Sequence, residues 1–256
     1  MTPDGNTILI TGGGSGIGRA LAEAFHAQGN QVVIAGRRKA LLDEVTSANP
    51  GMKSAILDIE NSEAIRDFAD QIKNTYPALN AVIHCAGIMR PEHLESGNVD
   101  DAEATITTNL LGPIRLTAVL LPLLQAQPQA TIMTVSSGLA FLPLARAPTY
   151  CATKAAIHSY TQSLRYQLKD THVQVLELIP PYVQTELMGT QQANDPHAMP
   201  LKDFIAETMH ILKTSPEATE ICVERVKPLR FAEVNGNYAA SFSNFSAAMT
   251  NAAASH

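Results

Sequence analysis

Thr7-Ile8-Leu9-Ile10-Thr11-Gly12-Gly13-Gly14-Ser15-Gly16-Ile17-Gly18 carries a short, branched apolar run straight into a glycine-rich turn. A helical pattern, Arg19–Gln28, follows at once. A buried strand, a glycine turn and a helix in that order open a parallel β-α unit. Glycines at such a turn allow tight backbone curvature and let an anion approach the peptide N–H groups. A diphosphate would then rest on the helix N-terminus, where the dipole and the free N–H groups favour negative charge. The spacing is Gly12-x-x-x-Gly16-x-Gly18, not the G-x-G-x-x-G of the dinucleotide fingerprint, so a purely structural turn stays open as the alternative. The candidate cradle comprises Gly12, Gly14, Ser15, Gly16, Ile17 and Gly18.

Outward from this turn, apolar runs and longer helical patterns alternate. Strands are expected at Thr7–Ile10, Gln31–Ala35, Lys53–Leu57, Ala81–His84, Ala130–Val135 and Val173–Ile179. Helices are expected at Arg19–Gln28, Lys39–Ala48, Glu63–Thr75, Ala102–Gln125 and Tyr150–Leu168. Parallel strands need crossovers, so repeated strand-helix order implies an α/β fold: a Rossmann-like, doubly wound parallel sheet with helices on both faces. With 256 residues and no internal linker, the chain reads as a single domain, 1–256. The alternation weakens over 186–230, which is expected to build a substrate loop region. The tail 244–256, rich in Ala, Ser and Asn, is expected to be loosely ordered or packed on a partner subunit.

Composition narrows the function. Apolar residues make up 45%, enough for a core, and the net charge of −6 offers no basic footprint for nucleic acid. The three cysteines are scattered and form no metal-ligand spacing, which suits reduced thiols in a reducing compartment. No secretory signal pattern opens the chain, and the apolar stretch Leu116–Leu124, broken by Pro122, is short for a membrane span. A cytoplasmic protein without nucleic-acid or membrane partners is expected. None of the eight histidines sits in a metal-binding motif, so no metal is expected.

Chemistry enters at two later places. The second expected strand ends Gly36-Arg37-Arg38. An acid normally stands here, about 20 residues past the glycines, to hold a ribose 2′-hydroxyl. Two arginines in its place suit a 2′-phosphate, which pairs with a guanidinium. A solvated pair at a helix start is the alternative. The second place is Tyr150-Cys151-Ala152-Thr153-Lys154, where Tyr150 and Lys154 share one helix face. A neighbouring ammonium would favour phenolate and lower the tyrosine pKa from about 10, making Tyr150 an acid/base candidate. Ser137, just past a strand end, could hydrogen-bond a substrate oxygen. Cys151 is expected to face away from the site.

These motifs, in this order, resemble the short-chain dehydrogenase/reductase family over roughly Asn6 to Leu187. Asp58 after the third strand and Asn109 in the long helix complete the match. Ser136-Ser137-Gly138-Leu139-Ala140-Phe141, Tyr150–Ala156 and Pro180-Pro181 further resemble its DltE-type branch. The resemblance implies hydride transfer between a nicotinamide and a carbonyl or secondary alcohol carbon of a small substrate. It implies Tyr150 as acid/base, Lys154 as the group that tunes Tyr150 and holds the nicotinamide ribose, Ser137 as the substrate-oxygen donor, and Asn109 as support for a relay water. It further implies Asp58 and Ile59 around the adenine, and Pro180, Val183 and Thr185 at the nicotinamide. A homodimer or homotetramer is implied, with the long helix and the Tyr150 helix at an interface. With Arg37 and Arg38, the expected cofactor is NADP, with NAD possible.

Two departures stand out. His84-Cys85-Ala86-Gly87 replaces the family's Asn-Asn-Ala-Gly, keeping Ala86 and Gly87 for close cofactor approach while changing the two amides. Pro180-Pro181 replaces Pro-Gly and stiffens that loop. An apolar pocket edge, Leu139, Phe141, Leu142, Tyr182, Leu187 and Met188, suits a hydrophobic carbonyl. A nucleotide-binding regulator or scaffold with little catalysis is the second reading, favoured only by His84-Cys85.

Overall fold

The computed structural model describes residues 2–254, the side chains of 248–254 excepted. The elements in chain order are β1 (Thr7–Thr11), α1 (Gly16–Ala27), β2 (Gln31–Gly36), α2 (Lys39–Ala48), β3 (Lys53–Ile56), α3 (Ser62–Thr75) and β4 (Ala81–His84). Then come α4 (Asp100–Ile106), a π turn (Thr107–Leu111), α5 (Gly112–Gln125), β5 (Ala130–Val135), α6 (Pro148–Gln167) and β6 (Val173–Ile179). The chain continues with α7 (Thr190–Asn194), α8 (Leu201–Thr214), β7 (Glu220–Cys222), α9 (Lys227–Arg230) and α10 (Tyr238–Ala254).

The seven strands form one parallel sheet in the order β3-β2-β1-β4-β5-β6-β7. The order reverses between β1 and β4, and ligands of open α/β sheets bind outside the strand ends at that switch. Two apolar layers cover the sheet. Leu21, Phe25 and Phe204 pack on one face with Ile8, Ile10 and Ile34. Ile65, Phe68, Leu116, Leu120 and Leu164 pack on the other with Leu9, Val33 and Val82. Alternation of Ile8 and Ile10 against Leu9 along β1 is the period-2 pleat feeding both layers.

Three sequence expectations change. The long helix is two helices joined by the π turn at Thr107–Leu111. Pro113, four residues after Asn109, has no N–H to give the Asn109 carbonyl, so the α-helical ladder cannot pass unbroken. Taken together, Asp100–Gln125 is long and apolar enough by length and composition to cross a membrane, contrary to the short stretch read from the sequence. Leu116, Leu120 and Leu124 are instead fully buried against the sheet.

The segment 186–230 holds α7, α8, α9 and the seventh strand. Glu220-Ile221-Cys222 has one branched apolar residue among three, too brief for a periodic signal. Tyr238–Ala254 is helical, as its alanines favour, and includes most of the 244–256 tail expected to be loosely ordered or packed on a partner subunit. The end of that tail, 255–256, lies outside the described residues.

Candidate active site

The glycine turn works through close contacts. A Cβ on Gly12 would lie 2.8 Å from the Ala86 Cα, and one on Gly18 would lie 2.4 Å from the Gly12 carbonyl oxygen. Gly12 also has a φ of +70°. Gly13, which the sequence reading passes over, is required for packing: its Cβ would lie 2.6 Å from the Ile34 Cβ. Thr11 ties the turn to the end of β4, its hydroxyl oxygen accepting from the Cys85 and Ala86 N–H groups at 3.1 Å each. Ser15 is the N-cap of α1 but makes no side-chain cap, and the first turn of α1 has no acid. Those free N–H groups and the glycine backbone fit a diphosphate.

The turn opens into a cleft of about 550 Å³ that runs to Tyr150. Gly12, Gly14, Ser15, Gly16, Ile17, Gly18, Arg37, Arg38, Ile59, Cys85, Ala86 and Gly87 line it. So do Ser137, Tyr150, Lys154, Pro180, Val183 and Thr185. Asp58 does not line the cleft; its carboxylate accepts from the Glu60 N–H at 3.1 Å, so it shapes the turn after β3. Asn109 sits behind the wall. Its Oδ1 accepts from the Ile88 N–H at 2.9 Å, and its Nδ2 donates to the Ile88 carbonyl at 2.9 Å and to Thr153 Oγ1 at 3.3 Å.

Tyr150 and Lys154 stand one turn apart on α6, both buried. Ser137, two residues past β5, accepts at Oγ from the Leu139 N–H at 3.1 Å. That leaves its proton free to donate, and the Ser137 hydroxyl beside Tyr150 favours the phenolate form. Lys154 Nζ donates to the Val135 carbonyl at 2.8 Å and lies 5.5 Å from the Tyr150 ring centroid. Burial pushes the Lys154 ammonium down to about 8, opposed by nearby Cys85 and Glu177. Burial also raises the Tyr150 phenol above its ordinary value, and the neighbouring Ser137 hydroxyl only partly offsets this. The sequence predicts a lowered phenol, but with the side chain out of water desolvation is the largest influence and raises it. Tyr150 is therefore a neutral O–H donor near pH 7, the form suited to protonating a carbonyl oxygen.

Some residues escaped the sequence reading. Gln192, buried on α7, donates from Nε2 to the Val183 carbonyl at 2.8 Å and to Thr185 Oγ1 at 3.1 Å, and accepts at Oε1 from the Met188 N–H at 3.1 Å. It ties down the loop after β6, and no motif could announce it because its partners are contacts across the loop. Ser136 lines the cleft with a buried hydroxyl that has no partner among the described residues. Met89, Leu144, Ala147 and Cys151 pack with Tyr150, and Leu139, Met188 and Phe245 lie against them. Cys151 is engaged with the Leu144 backbone, its Sγ accepting from the N–H at 3.2 Å, which agrees with a thiol facing elsewhere. Cys85 lines the cleft, and burial pushes its thiol up to about 11, leaving it a weak nucleophile.

Among the described residues one close group of His and acid side chains occurs: His158, Glu177 and Glu220. Both Glu220 oxygens accept from Arg230, at 2.8 and 2.9 Å, so the group is an ion-pair network that already holds its cation.

His84 is fully enclosed; one ring nitrogen meets Thr117 Oγ1 at 2.9 Å and Nδ1 has no partner among the described residues. Burial pulls its pKa down to about 4. Between about 4 and the ordinary 6.5 the unfolded chain binds this proton and the folded one does not. Stability is thus complete above pH 6.5 and declines as pH falls towards 4, by roughly 3 kcal/mol from this residue. Urea unfolding of His84→Asn across pH 4–7 is expected to show a flatter acid limb than wild type. Superimposable limbs would remove His84 from the acid response.

The family model for short chain dehydrogenase matches residues 6–196. The chain belongs to the short-chain dehydrogenase/reductase family, within its DltE-type branch, and is a nicotinamide-dependent oxidoreductase by that membership. It is 38% identical to the uncharacterised oxidoreductase DltE of Bacillus subtilis, covering 91% of this chain and 93% of that protein. An uncharacterised oxidoreductase of Staphylococcus aureus strain MRSA252 is 30% identical, covering 86% and 96%. Two solved structures share the fold at 22% identity. A short chain dehydrogenase from Burkholderia cenocepacia in complex with NADP has a TM-score of 0.82, covering 96% of this chain and 99% of that one. A relative from Burkholderia phymatum in complex with NAD has a TM-score of 0.80, covering 92% and 94%.

Proposed function

We propose that the protein is an NADP(H)-preferring carbonyl reductase or alcohol dehydrogenase acting on a small, apolar substrate. One observation carries this: Ser137, Tyr150 and Lys154 converge in the same cleft as the glycine turn. The nicotinamide cofactor, when bound, supplies or accepts the hydride. Tyr150 donates its proton to the carbonyl oxygen, and Ser137 orients that oxygen. Lys154 stabilises the phenolate that remains and holds the nicotinamide ribose. Asn109 supports a relay water from the π turn. Ile59 borders the adenine, with Asp58 shaping the turn beside it rather than touching the ring, and Pro180, Val183 and Thr185 border the nicotinamide. The apolar side chains packed around Tyr150 support a hydrophobic carbonyl. We place the protein in the cytoplasm as a homodimer or homotetramer.

NADP preference rests on two arginines with different surroundings. Arg37 is paired with Glu60 at 2.8 Å, whereas Arg38 donates to the neutral Ser15 hydroxyl at 2.9 Å. Arg38 thereby brings a cation to the glycine turn, which has no basic residue of its own, and takes the larger role of the two. A charge-assisted bond to a 2′-phosphate contributes about 1.5–3 kcal/mol, or roughly 10- to 100-fold. Arg38→Ala is expected to weaken NADPH by that factor and leave NADH within about twofold, read by nicotinamide fluorescence at matched ionic strength. Equal losses for both cofactors would sink this role. The same titration joined to a panel of ketones and aldehydes tests the whole reading. Cofactor binding without turnover across the panel would favour a nucleotide-binding scaffold.

A further inference from the structure

We propose that Glu60 sets the strength of cofactor discrimination by holding Arg37 and placing a negative charge beside the 2′-phosphate position. This rests on the NADP(H) reading above. Glu60 Oε1 accepts from Arg37 at 2.8 Å and from Thr108 Oγ1 at 2.8 Å. Its backbone is also held: the carbonyl accepts from Arg115 at 3.3 Å, and the N–H donates to Asp58 at 3.1 Å. The carboxylate is therefore fixed, part-buried, immediately behind a guanidinium that lines the cleft.

The charges decide the effect. Arg37 and Arg38 supply two cations to this corner of the cleft, and Glu60 cancels one. A 2′-phosphate brings between one and two further negative charges, so it meets a corner of net charge about +1. Arg37 must either leave Glu60 or share its donors, and the carboxylate repels the phosphate either way. A half-exposed ion pair is weak, so the Arg37–Glu60 contact reduces the affinity without blocking the site. NADH, with a neutral 2′-hydroxyl, does not feel this charge to the same degree. Glu60 is thus a specificity-determining acid of the opposite kind from the one at the end of β2 in NAD-binding relatives. It stands in the turn after β3, and it tempers a preference for NADP rather than creating one for NAD.

Glu60→Gln keeps the size of the side chain and an oxygen for Thr108 while removing the charge. Titrations of wild type and variant with NADPH, NADH and adenosine 2′,5′-bisphosphate at low salt test the proposal. NADPH and the bisphosphate are expected to bind about 3- to 10-fold tighter in Glu60→Gln, as expected for removing a charge several ångström away under partial solvent screening, with NADH within about twofold. Raising the salt should shrink the gain. Glu60→Ala, which also gives up the Thr108 bond, is expected to change in the same direction. Unchanged or weaker NADPH binding in Glu60→Gln overturns the proposal and makes Glu60 an aligner of Arg37. A wild type without preference for NADPH overturns the cofactor reading instead; a gain for the bisphosphate in Glu60→Gln would then still support the role of Glu60.

Discussion

Tyr150→Phe is expected to lower kcat by about 10²- to 10⁴-fold while leaving NADPH affinity within a few-fold of wild type. The proposed donor is the phenol O–H, which lines the cleft together with Ser137. The ring itself packs with Met89, Leu144 and Ala147, and phenylalanine preserves that packing. The loss should therefore fall on the chemical step and not on folding. Single-turnover rates with saturating cofactor separate the two. A variant keeping more than about a tenth of the wild-type rate would falsify the assignment of Tyr150 as the proton donor.

Lys154→Met is expected to damage both chemistry and binding, by about 10²-fold or more in kcat/KM. The ammonium is to stabilise the phenolate left after proton donation and to hold the nicotinamide ribose. Its pKa of about 8 sets the direction of the pH response. Below that value the cation is present; as pH rises through it, the phenolate loses its partner and reductase activity should fall. In Lys154→Met this limb near 8 should vanish, and any residual activity should extend to higher pH. Stability follows the same group with its own sign. The folded value lies below the ordinary 10.4, so the unfolded chain holds more protons between about 8 and 10. Burial of the charged Lys154 costs stability in full below pH 8, and that cost is relieved as pH rises through this window. An unchanged rate–pH profile together with unchanged cofactor affinity would remove Lys154 from the site.

Much of this architecture is written locally. Five of the seven strands, all but β3 and β7, are short, largely apolar runs, because a parallel strand covered on both faces needs side chains like Val32, Val33 and Ile34 throughout. The glycine turn is equally local: Gly12 and Gly18 admit no Cβ, and that demand shows in residue type. Tyr150 and Lys154 are legible as a pair because one helical turn brings them to one face. β7 is illegible for the converse reason, since its place depends on pairing with β6 and not on its own three residues. The split of the long helix was available in Pro113; that the π turn sets Asn109 against Ile88 and Thr153 was not.

By itself the sequence determined the doubly wound parallel fold, the family, and the residue types at the glycine turn and at Ser137, Tyr150 and Lys154, since each depends on spacing along one strand, turn or helix. Only the tertiary structure decided the electrostatics. Desolvation raises Tyr150 and lowers Lys154, and no linear spacing reports how completely a side chain leaves water. Likewise Arg37 and Arg38 are adjacent and alike in the chain, yet the turn after β3 brings Glu60 to one and the turn after β1 brings Ser15 to the other. Charge balance at a site is a sum over distant segments, and folding alone brings those segments together.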